Sequence, residues 1–324
     1  MRMALRFDMR GPDIGADRTH LYREMLEMVS WADLSGFSHV RISEHHGVED
    51  GYLPAPLIAA AAIAARTERL RIGIAALVLT LHNPIAVAEQ VAVLDHISHG
   101  RLDLTLAAGY VPSELRMFGI EPKSRGALME ENIGVLRAAW TGEPFDYQGR
   151  RVRVTPRPLQ QPHPPLSLGG STPAAARRAA RLQLGFDTHL IELYNEYVAE
   201  ARKLGFTPLP PVTYGPTFMH VTEDPDRDWE KIAPHALYEM NAYGRWASEA
   251  GLNSSYHPVA SADELRRQGG YAVVTPEQCI ALARGLGPQG MLLFHPLVAG
   301  LDPDFSWKSL FLFEREVLPH IRDL

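Results

Sequence analysis

The 324 residues of this chain are 46% hydrophobic and 22% charged, a composition typical of globular proteins that excludes an intrinsically disordered chain. The formal net charge is -6 and the basic residues are scattered, so we expect no nucleic-acid partner. One cysteine, Cys279, excludes an internal disulfide. The charged residues Arg2, Arg6 and Asp8 interrupt the apolar stretch that a signal peptide needs, and the apolar runs are too short for a membrane span. We therefore expect a cytoplasmic protein without membrane contact.

Short β-rich runs alternate with helical runs along the chain, which predicts βα units and a parallel sheet. The predicted strands are residues 4–8, 37–43, 70–79, 102–107, 166–168, 186–190, 211–221 and 291–295. The first residues or caps of the predicted helices are Thr19, Pro56, Pro84, Arg125, Ala174, Glu192 and Ser306. Residues 145–155, with Gln148-Gly149 at their centre, predict a β-hairpin.

Eight strands in this rhythm predict an α/β protein with one domain, residues 1–324, folded as a (β/α)8 TIM barrel. Insertions are expected after strands 4 and 7. The second insertion, residues 226–268, contains Tyr238, Tyr243, Trp246 and Tyr256, and it fits either a lid over a substrate or a helical surface excursion. In such barrels the chemistry lies at the carboxyl ends of the strands, so the residues after each strand are the candidates.

Glu44-His45-His46 directly follow the second predicted strand. Adjacent side chains on extended backbone point to opposite sides, so the two histidines are not expected to share a metal ion, and we predict no metal site. One imidazole can face a pocket and transfer a proton near neutral pH. Two hydrogen-bonded rim histidines without a function are the alternative. His82-Asn83-Pro84 is most simply a loop with a helix-start proline, and five further histidines are isolated in the sequence: His96, His99, His220, His235 and His295.

Gly169-Gly170-Ser171-Thr172 follow the fifth predicted strand and open a helix. The glycines allow backbone N–H groups to approach an anion, and the two hydroxyls are further donors, so a phosphate monoester could bind here. A plain N-cap after a tight turn is the alternative, because the same serine or threonine would serve it.

Small residues follow two other strands. Gly109 and Tyr110 come after strand four, and Ala75-Ala76 lie near the end of strand three, where a flat ring could lie against the backbone. Small residues also occur at barrel rims simply because strands crowd there.

Five stretches in this order resemble one family, the bacterial luciferase-like flavin-dependent monooxygenases. They lie between Gly36 and Ile321 and read GFSHVRISEHHG, ERLRIGIAALVLTLHNPIAVAEQVAVLDHISHGRLDLTLAAGYVPSELRMFGI, SRGALMEENIGVLRAAW, PRPLQQPHPPLSLGGSTPAAARRAA and SLFLFEREVLPHI. The resemblance implies a luciferase-like TIM barrel that binds reduced FMN, usually as a homodimer, and receives it from a separate flavin reductase. It further implies a monooxygenase that uses molecular oxygen on a small organic substrate. A deazaflavin-dependent hydride transfer and a non-catalytic flavin-binding protein of the same fold are the alternatives.

The resemblance also assigns residues by position. His45 matches the catalytic histidine, with Glu44 beside it, and Ala75-Ala76 match a site where many members carry a non-proline cis peptide beneath the flavin ring. Gly109 and Tyr110 border the flavin in this comparison, and residues 169–172 match the phosphate loop.

Two positions depart from the luciferase. Where luciferase has a reactive cysteine and an arginine near the phosphate, this chain has Ala107 and Ala108. We therefore expect the anion to depend on backbone and hydroxyl donors, with modest affinity for FMN.

Overall fold

The computed structural model describes residues 1–208, 211–252, 254, 256–322 and 324. The strands in this part of the chain are β1 (Arg2–Phe7), β2 (His39–Ile42), β3 (Arg71–Val78), β4 (Leu102–Ala107), β5 (Phe145–Tyr147), β6 (Arg150–Val152), β7 (Leu166–Gly169), β8 (Gly185–Asp187), β9 (Thr213–Tyr214), β10 (Phe218–Val221), β11 (Tyr271–Val274) and β12 (Gly290–Phe294). The helices are α1 (Arg18–Leu34), α2 (Pro56–Arg66), α3 (Pro84–Ile97), α4 (Pro112–Met117), α5 (Arg125–Trp140), α6 (Pro173–Arg181), α7 (Ile191–Lys203), α8 (Pro225–Glu249), α9 (Ala262–Arg267), α10 (Pro276–Leu286), α11 (Pro303–Leu312) and α12 (Leu318–Ile321).

Eight strands form one curled parallel sheet in the order β8-β7-β4-β3-β2-β1-β12-β9. This is the cyclic strand order of a βα barrel that is open between β8 and β9. No backbone ladder joins those two strands within the described ranges. The side chain of Arg41 on β2 reaches both edges, because it donates to Asp187 of β8 over 2.6 Å and to the hydroxyl of Tyr214 on β9. The predicted parallel sheet is therefore present, whereas the predicted backbone closure is not confirmed.

The seventh predicted strand was wrong in its extent. Residues 211–221 form two short strands: β9 pairs with β12 in the main sheet, and β10 pairs with β11 in a separate parallel pair. Gly215 and Pro216 lie at the break, and a proline has no N–H group to donate to a ladder. The sequence patterns also left β11 and α10 unpredicted. Their signals were the β-rich run of β11 and the capping box that Thr275 and Gln278 form before α10.

Local signals placed most other elements correctly. Proline occupies the first turn of α2, α3 and α6, where its missing N–H group costs nothing. Gln148 and Gly149 have positive φ angles of 48° and 72°, which suit the tight turn of the β5–β6 hairpin. The N-cap of α1 is Asp17 instead of Thr19, because the Asp17 carboxylate accepts from the backbone N–H of His20.

The core lies between the sheet and its surrounding helices. One side of α1, with Leu21, Met25 and Met28, is fully buried against it. Part of the predicted insertion is buried, since Trp229 and Ile232 of α8 pack against Phe218 in a second buried cluster. No helix in the described part of the chain is long and apolar enough to cross a bilayer.

Candidate active site

A cleft with two joined chambers lies at the carboxyl ends of the parallel strands. The small chamber is a cavity of about 300 Å³ lined by His45, and the large chamber, of about 490 Å³, is lined by the loop 169–172. Both chambers share the strand-end residues Ala76, Gly109 and Tyr110. The structure therefore brings the predicted residues after β2, β3, β4 and β7 together around one cleft.

His45 is held in a fixed orientation at the small chamber. Its Nδ1 donates to Oε1 of Glu114, which lies 2.7 Å away in α4. The imidazole lies 4.3 Å from the ring of Trp246, with an interplanar angle of 31°, and Tyr52 contacts it edge-on at 4.8 Å. Nε2 has no protein partner within the described residues, so it is the nitrogen left for a ligand. The contact between Glu114 and His45 was not predicted from the sequence.

Glu44 holds three neighbouring groups. Its Oε1 accepts from Nε2 of His46 and from Nε2 of His82, both over 2.6 Å, and its Oε2 accepts from the backbone N–H of Val78 over 2.7 Å. Burial acts to raise the pKa of the Glu44 carboxyl group, but these hydrogen bonds outweigh burial and lower it. The carboxylate therefore connects β2 to the end of β3, and both its oxygens are occupied by protein donors.

The same three side chains also place potential metal ligands close together. The ligand atoms of Glu44, His46 and His82 all lie within 4.8 Å of one another. Two ligands of one tetrahedral zinc ion, each at about 2.0 Å, are separated by roughly 3.3 Å. The 2.6 Å contacts are shorter than this separation and fit hydrogen bonds. The imidazole of His45 binds Glu114 and that of His46 binds Glu44, so the two rings point to different carboxylates.

Beneath the small chamber lies a buried ionic cluster that the sequence did not reveal. His295, which seemed isolated in the sequence, lies with Nε2 3.5 Å from Asp8 and Nδ1 3.4 Å from Glu239. Arg6 pairs with Glu239 over 3.0 Å, and Arg10 pairs with Asp8 over 3.5 Å and with the nearby Asp50. Burial acts to lower the pKa of His295, but the two carboxylates outweigh it and raise that pKa.

The loop 169–172 forms one wall of the large chamber. Thr172 is the N-cap of α6, since its hydroxyl oxygen accepts from the backbone N–H of Ala175 over 3.3 Å. The N-cap alternative therefore holds for Thr172, whose hydroxyl hydrogen is still free for another acceptor. At Gly170 an added Cβ atom would lie 2.4 Å from Cβ of Ala175, so glycine is needed for α6 to pack here.

Three basic side chains also line the large chamber: Lys123, Arg125 and Arg178. Arg178 donates to Glu130 over 2.8 Å, whereas Arg125 has no ion pair within the described residues. These side chains add positive charge to the backbone and hydroxyl donors that the sequence predicted for an anion. Arg125 is the first residue of α5, where the helix dipole disfavours a cation, and this unfavourable placement was the signal available in the sequence.

Backbone conformation shapes the wall between the chambers. The peptide bond between Ala75 and Ala76 is cis, as the family resemblance implied. Gly109 has a positive φ of 72°, and an added Cβ atom would lie 3.0 Å from a methyl group of Val78. Small residues at this wall therefore leave a flat surface at the strand ends.

Comparison with known proteins gives consistent results. The family model described as luciferase-like monooxygenase matches residues 7–286. The oxygenase component of a flavin-dependent trigonelline monooxygenase from Acinetobacter baylyi is 27% identical over 298 residues, which cover 86% of this chain and 80% of that protein. An uncharacterized protein of Sinorhizobium fredii is 34% identical over 164 residues, and this chain spans about half of its length (48%).

Two solved structures share the architecture over nearly the whole chain. The monooxygenase RslO1 from Streptomyces bottropensis is 26% identical with a TM-score of 0.80 and 99% coverage of both chains. The oxygenating constituent of 3,6-diketocamphane monooxygenase from Pseudomonas putida, solved with FMN, is 19% identical with a TM-score of 0.75 and 98% coverage of both chains, which shows likeness of fold. With the family match extending over most of its length, this chain belongs to the luciferase-like monooxygenase family.

Proposed function

We propose that the protein is a flavin-dependent monooxygenase that uses reduced FMN and molecular oxygen to oxygenate a small organic substrate. The observation that carries this proposal is the two-chambered cleft, which has anion donors at one end and an oriented imidazole at the other. A phosphorylated planar cofactor would extend from the large chamber to the wall between the chambers.

The residues present fit FMN. The first turn of α6 offers backbone N–H groups, Ser171 and Thr172 offer hydroxyls, and Arg125 and Lys123 offer positive charge, which together suit a phosphate monoester. Ala75-Ala76, Gly109 and Tyr110 form the wall against which the ring would lie. When bound, reduced FMN supplies the redox chemistry with oxygen.

The chain's own residues position groups and control protons. We propose that His45 holds or releases a proton at Nε2, while Glu114 fixes the tautomer through Nδ1. Trp246 and Tyr52 enclose the imidazole and keep water from it. Glu44 lines the small chamber and supports this arrangement, because its two oxygens hold His46, His82 and the backbone of Val78 in place.

The proposed domain, lid, dimer and reductase partner are based on the resemblance to the family. We propose one domain, residues 1–324, folded as a (β/α)8 barrel with insertions after strands 4 and 7, in which the side chain of Arg41 bridges the gap between β8 and β9. Within residues 226–268, Tyr243 and Tyr256 line the small chamber and Trp246 contacts His45, which supports a lid over the substrate. A homodimer and a separate flavin reductase are also proposed. The trigonelline monooxygenase relative is named as an oxygenase component, which supports the reductase.

Cofactor binding provides the first test. Anaerobic fluorescence titrations would compare reduced FMN, reduced riboflavin and reduced deazaflavin coenzyme on the same protein. We expect reduced FMN to bind at least about tenfold more tightly than riboflavin, because only FMN places a phosphate in the large chamber. Preference for the deazaflavin would contradict the FMN assignment and favour the hydride-transfer alternative.

Oxygen incorporation provides the second test. The protein, a flavin reductase, NADH and FMN would be incubated under ¹⁸O₂ with a panel of small ketones, aldehydes and aromatic compounds. Mass spectrometry should detect a product that carries one ¹⁸O atom. Tight FMN binding without labelled product from any compound of the panel would favour the non-catalytic flavin-binding alternative.

A further inference from the structure

The floor of the small chamber carries two arginines on neighbouring strands. Arg6 on β1 and Arg41 on β2 are register partners in the parallel ladder, and both side chains line the chamber. Side chains at paired positions on adjacent parallel strands project to the same face of the sheet. The two guanidinium groups are therefore side by side beneath the site proposed for the substrate.

Each guanidinium group is already neutralised. Arg6 pairs with Glu239 over 3.0 Å and Arg41 pairs with Asp187 over 2.6 Å. Glu239 lines neither chamber and Asp187 lines only the large chamber, so neither carboxylate faces the small chamber. The floor is consequently rich in N–H donors without an excess of positive charge.

Each arginine also donates to a tyrosine hydroxyl at the chamber wall. Arg6 donates to the hydroxyl of Tyr256 over 3.3 Å and to that of Tyr243 over 3.1 Å. Arg41 donates to the hydroxyl of Tyr214. The Tyr243 hydroxyl is also paired with the hydroxyl of Tyr52, 2.8 Å away, which leaves the hydroxyls of Tyr214 and Tyr256. Burial raises the pKa of Tyr214 and Tyr256, so both hydroxyl groups stay protonated near neutral pH. Because each oxygen accepts from an arginine, each O–H hydrogen is directed elsewhere, and it has no acceptor within the described residues.

The rest of the small chamber suits an apolar body. Leu293, Ala247 and Leu252 contribute apolar surface. The carboxylates of Glu44 and Glu114, which also line the chamber, accept from histidines and are therefore engaged. The hydroxyls of Tyr214 and Tyr256 are thus two donors left for a ligand beside the arginines, in addition to Nε2 of His45.

We infer that Tyr214 and Tyr256 are the specificity-determining residues of the small chamber, and that they bind the carbonyl oxygen of an uncharged, otherwise apolar substrate. This inference rests on the proposed monooxygenase function, because it assigns the small chamber to the substrate of that reaction. An uncharged oxygen is favoured over a carboxylate since each guanidinium group already has its counter-ion.

A matched set of single-ring probes tests the inference on the FMN-saturated protein. Acetophenone and ethylbenzene differ at one carbonyl oxygen, and benzoate carries an anionic carboxylate on the same ring. By isothermal titration calorimetry we expect acetophenone to bind at least about tenfold more tightly than ethylbenzene, and more tightly than benzoate. Equal binding of acetophenone and ethylbenzene would overturn the inference, and so would a preference for benzoate.

Conservative variants assign the effect to the two hydroxyls. Tyr214→Phe and Tyr256→Phe should each reduce the preference for acetophenone over ethylbenzene by about fivefold while leaving ethylbenzene binding unchanged. Tyr197→Phe is the matched control, because the Tyr197 hydroxyl donates to the carbonyl oxygen of Leu184 outside the cleft. A preference that survives in the double variant would overturn the assignment.

The wild-type comparison of the probes does not depend on how well the variants fold. FMN binding is measured separately on every sample. Failure to bind FMN would contradict the proposed function, whereas normal FMN binding without discrimination between the probes would contradict only this inference.

Discussion

Nδ1 of His45 lies 2.7 Å from Oε1 of Glu114, although the two residues are 69 positions apart in the sequence. The same Glu114 oxygen accepts from the backbone N–H of His46 over 3.1 Å. One carboxylate therefore fixes both the imidazole ring and the backbone segment that carries it. The imidazole of His45 is thus held in one orientation, with Nε2 directed away from Glu114. This geometry suits proton transfer at Nε2.

Removing the imidazole tests this role directly. We expect His45→Asn to slow formation of ¹⁸O-labelled product by about 10²–10⁴-fold, the range typical of general acid–base groups. FMN affinity should stay the same, because the proposed phosphate contacts lie in the other chamber. His96→Asn serves as the control, since His96 contacts the carbonyl oxygen of Arg157 outside the cleft and should retain full activity. Unchanged product formation in His45→Asn would refute the assignment.

A second prediction concerns Arg125, whose guanidinium group has no ion-pair partner among the residues that the structure describes. Arg125→Gln should weaken FMN binding by roughly tenfold or more, because a charge-assisted hydrogen bond to phosphate is lost. Riboflavin has no phosphate, so its affinity should not change. Arg116→Gln removes the same charge from α4, away from both chambers, and should alter neither affinity. Fluorescence titration measures all four values, and equal weakening of FMN and riboflavin would argue against a phosphate contact.

Replacing Gly170 or Gly134 with alanine should have different effects on FMN affinity and on stability. Gly170→Ala places a Cβ atom 2.4 Å from Cβ of Ala175, so the start of α6 must shift and FMN affinity should fall. Gly134 lies exposed within α5, with nothing within 4 Å of an added Cβ atom. Gly134→Ala should therefore stabilise the fold by about 0.5–1 kcal/mol without affecting FMN. Urea denaturation and FMN titration of both variants provide the measurements; an unaltered FMN affinity in Gly170→Ala would contradict the packing conflict at Ala175.

Sequence patterns predicted most of the fold because the relevant signals are local. Apolar runs marked the strands of the main sheet, and prolines at helix starts marked α2 and α3. The errors arose where pairing partners decide the structure. Residues 211–221 contain enough β-rich sequence for one strand, but β9 and β10 join different sheets, and sequence alone does not show which partner each finds.

The site was predicted only as separate pieces. His45 and the loop 169–172 were identified by their positions just after predicted strands, whereas Glu114, Arg125 and His295 act through contacts between distant segments. Nothing in the sequence near His295 indicates that two carboxylates enclose it in the fold. Only the fold of β1, α8 and β12 brings Asp8, Glu239 and His295 together.

The burial of His295 between Asp8 and Glu239 predicts that the free energy of unfolding depends on pH. Asp8 and Glu239 raise the pKa of His295 against the effect of burial, so the folded protein holds the proton more tightly than the unfolded chain, where the pKa is about 6.5. The stabilisation from His295 is fully present below about pH 6.5 and is lost as the pH rises through the folded-state pKa. Arg6 and Arg10, which also face these carboxylates, stay charged throughout this range.

Urea denaturation of the wild type and His295→Gln between pH 5.5 and 9 measures this contribution. At the acid end the variant should be less stable by about 3–5 kcal/mol, the usual cost of removing one partner from a buried ion pair, and the difference should shrink as the pH rises. His39 and His220, whose pKa values burial lowers to about 4, act in the opposite direction. They are present in both proteins, so subtraction removes their effect. His320→Gln on the surface should show no such difference, and a gap that grows with pH would mean that His295 is neutral between its carboxylates.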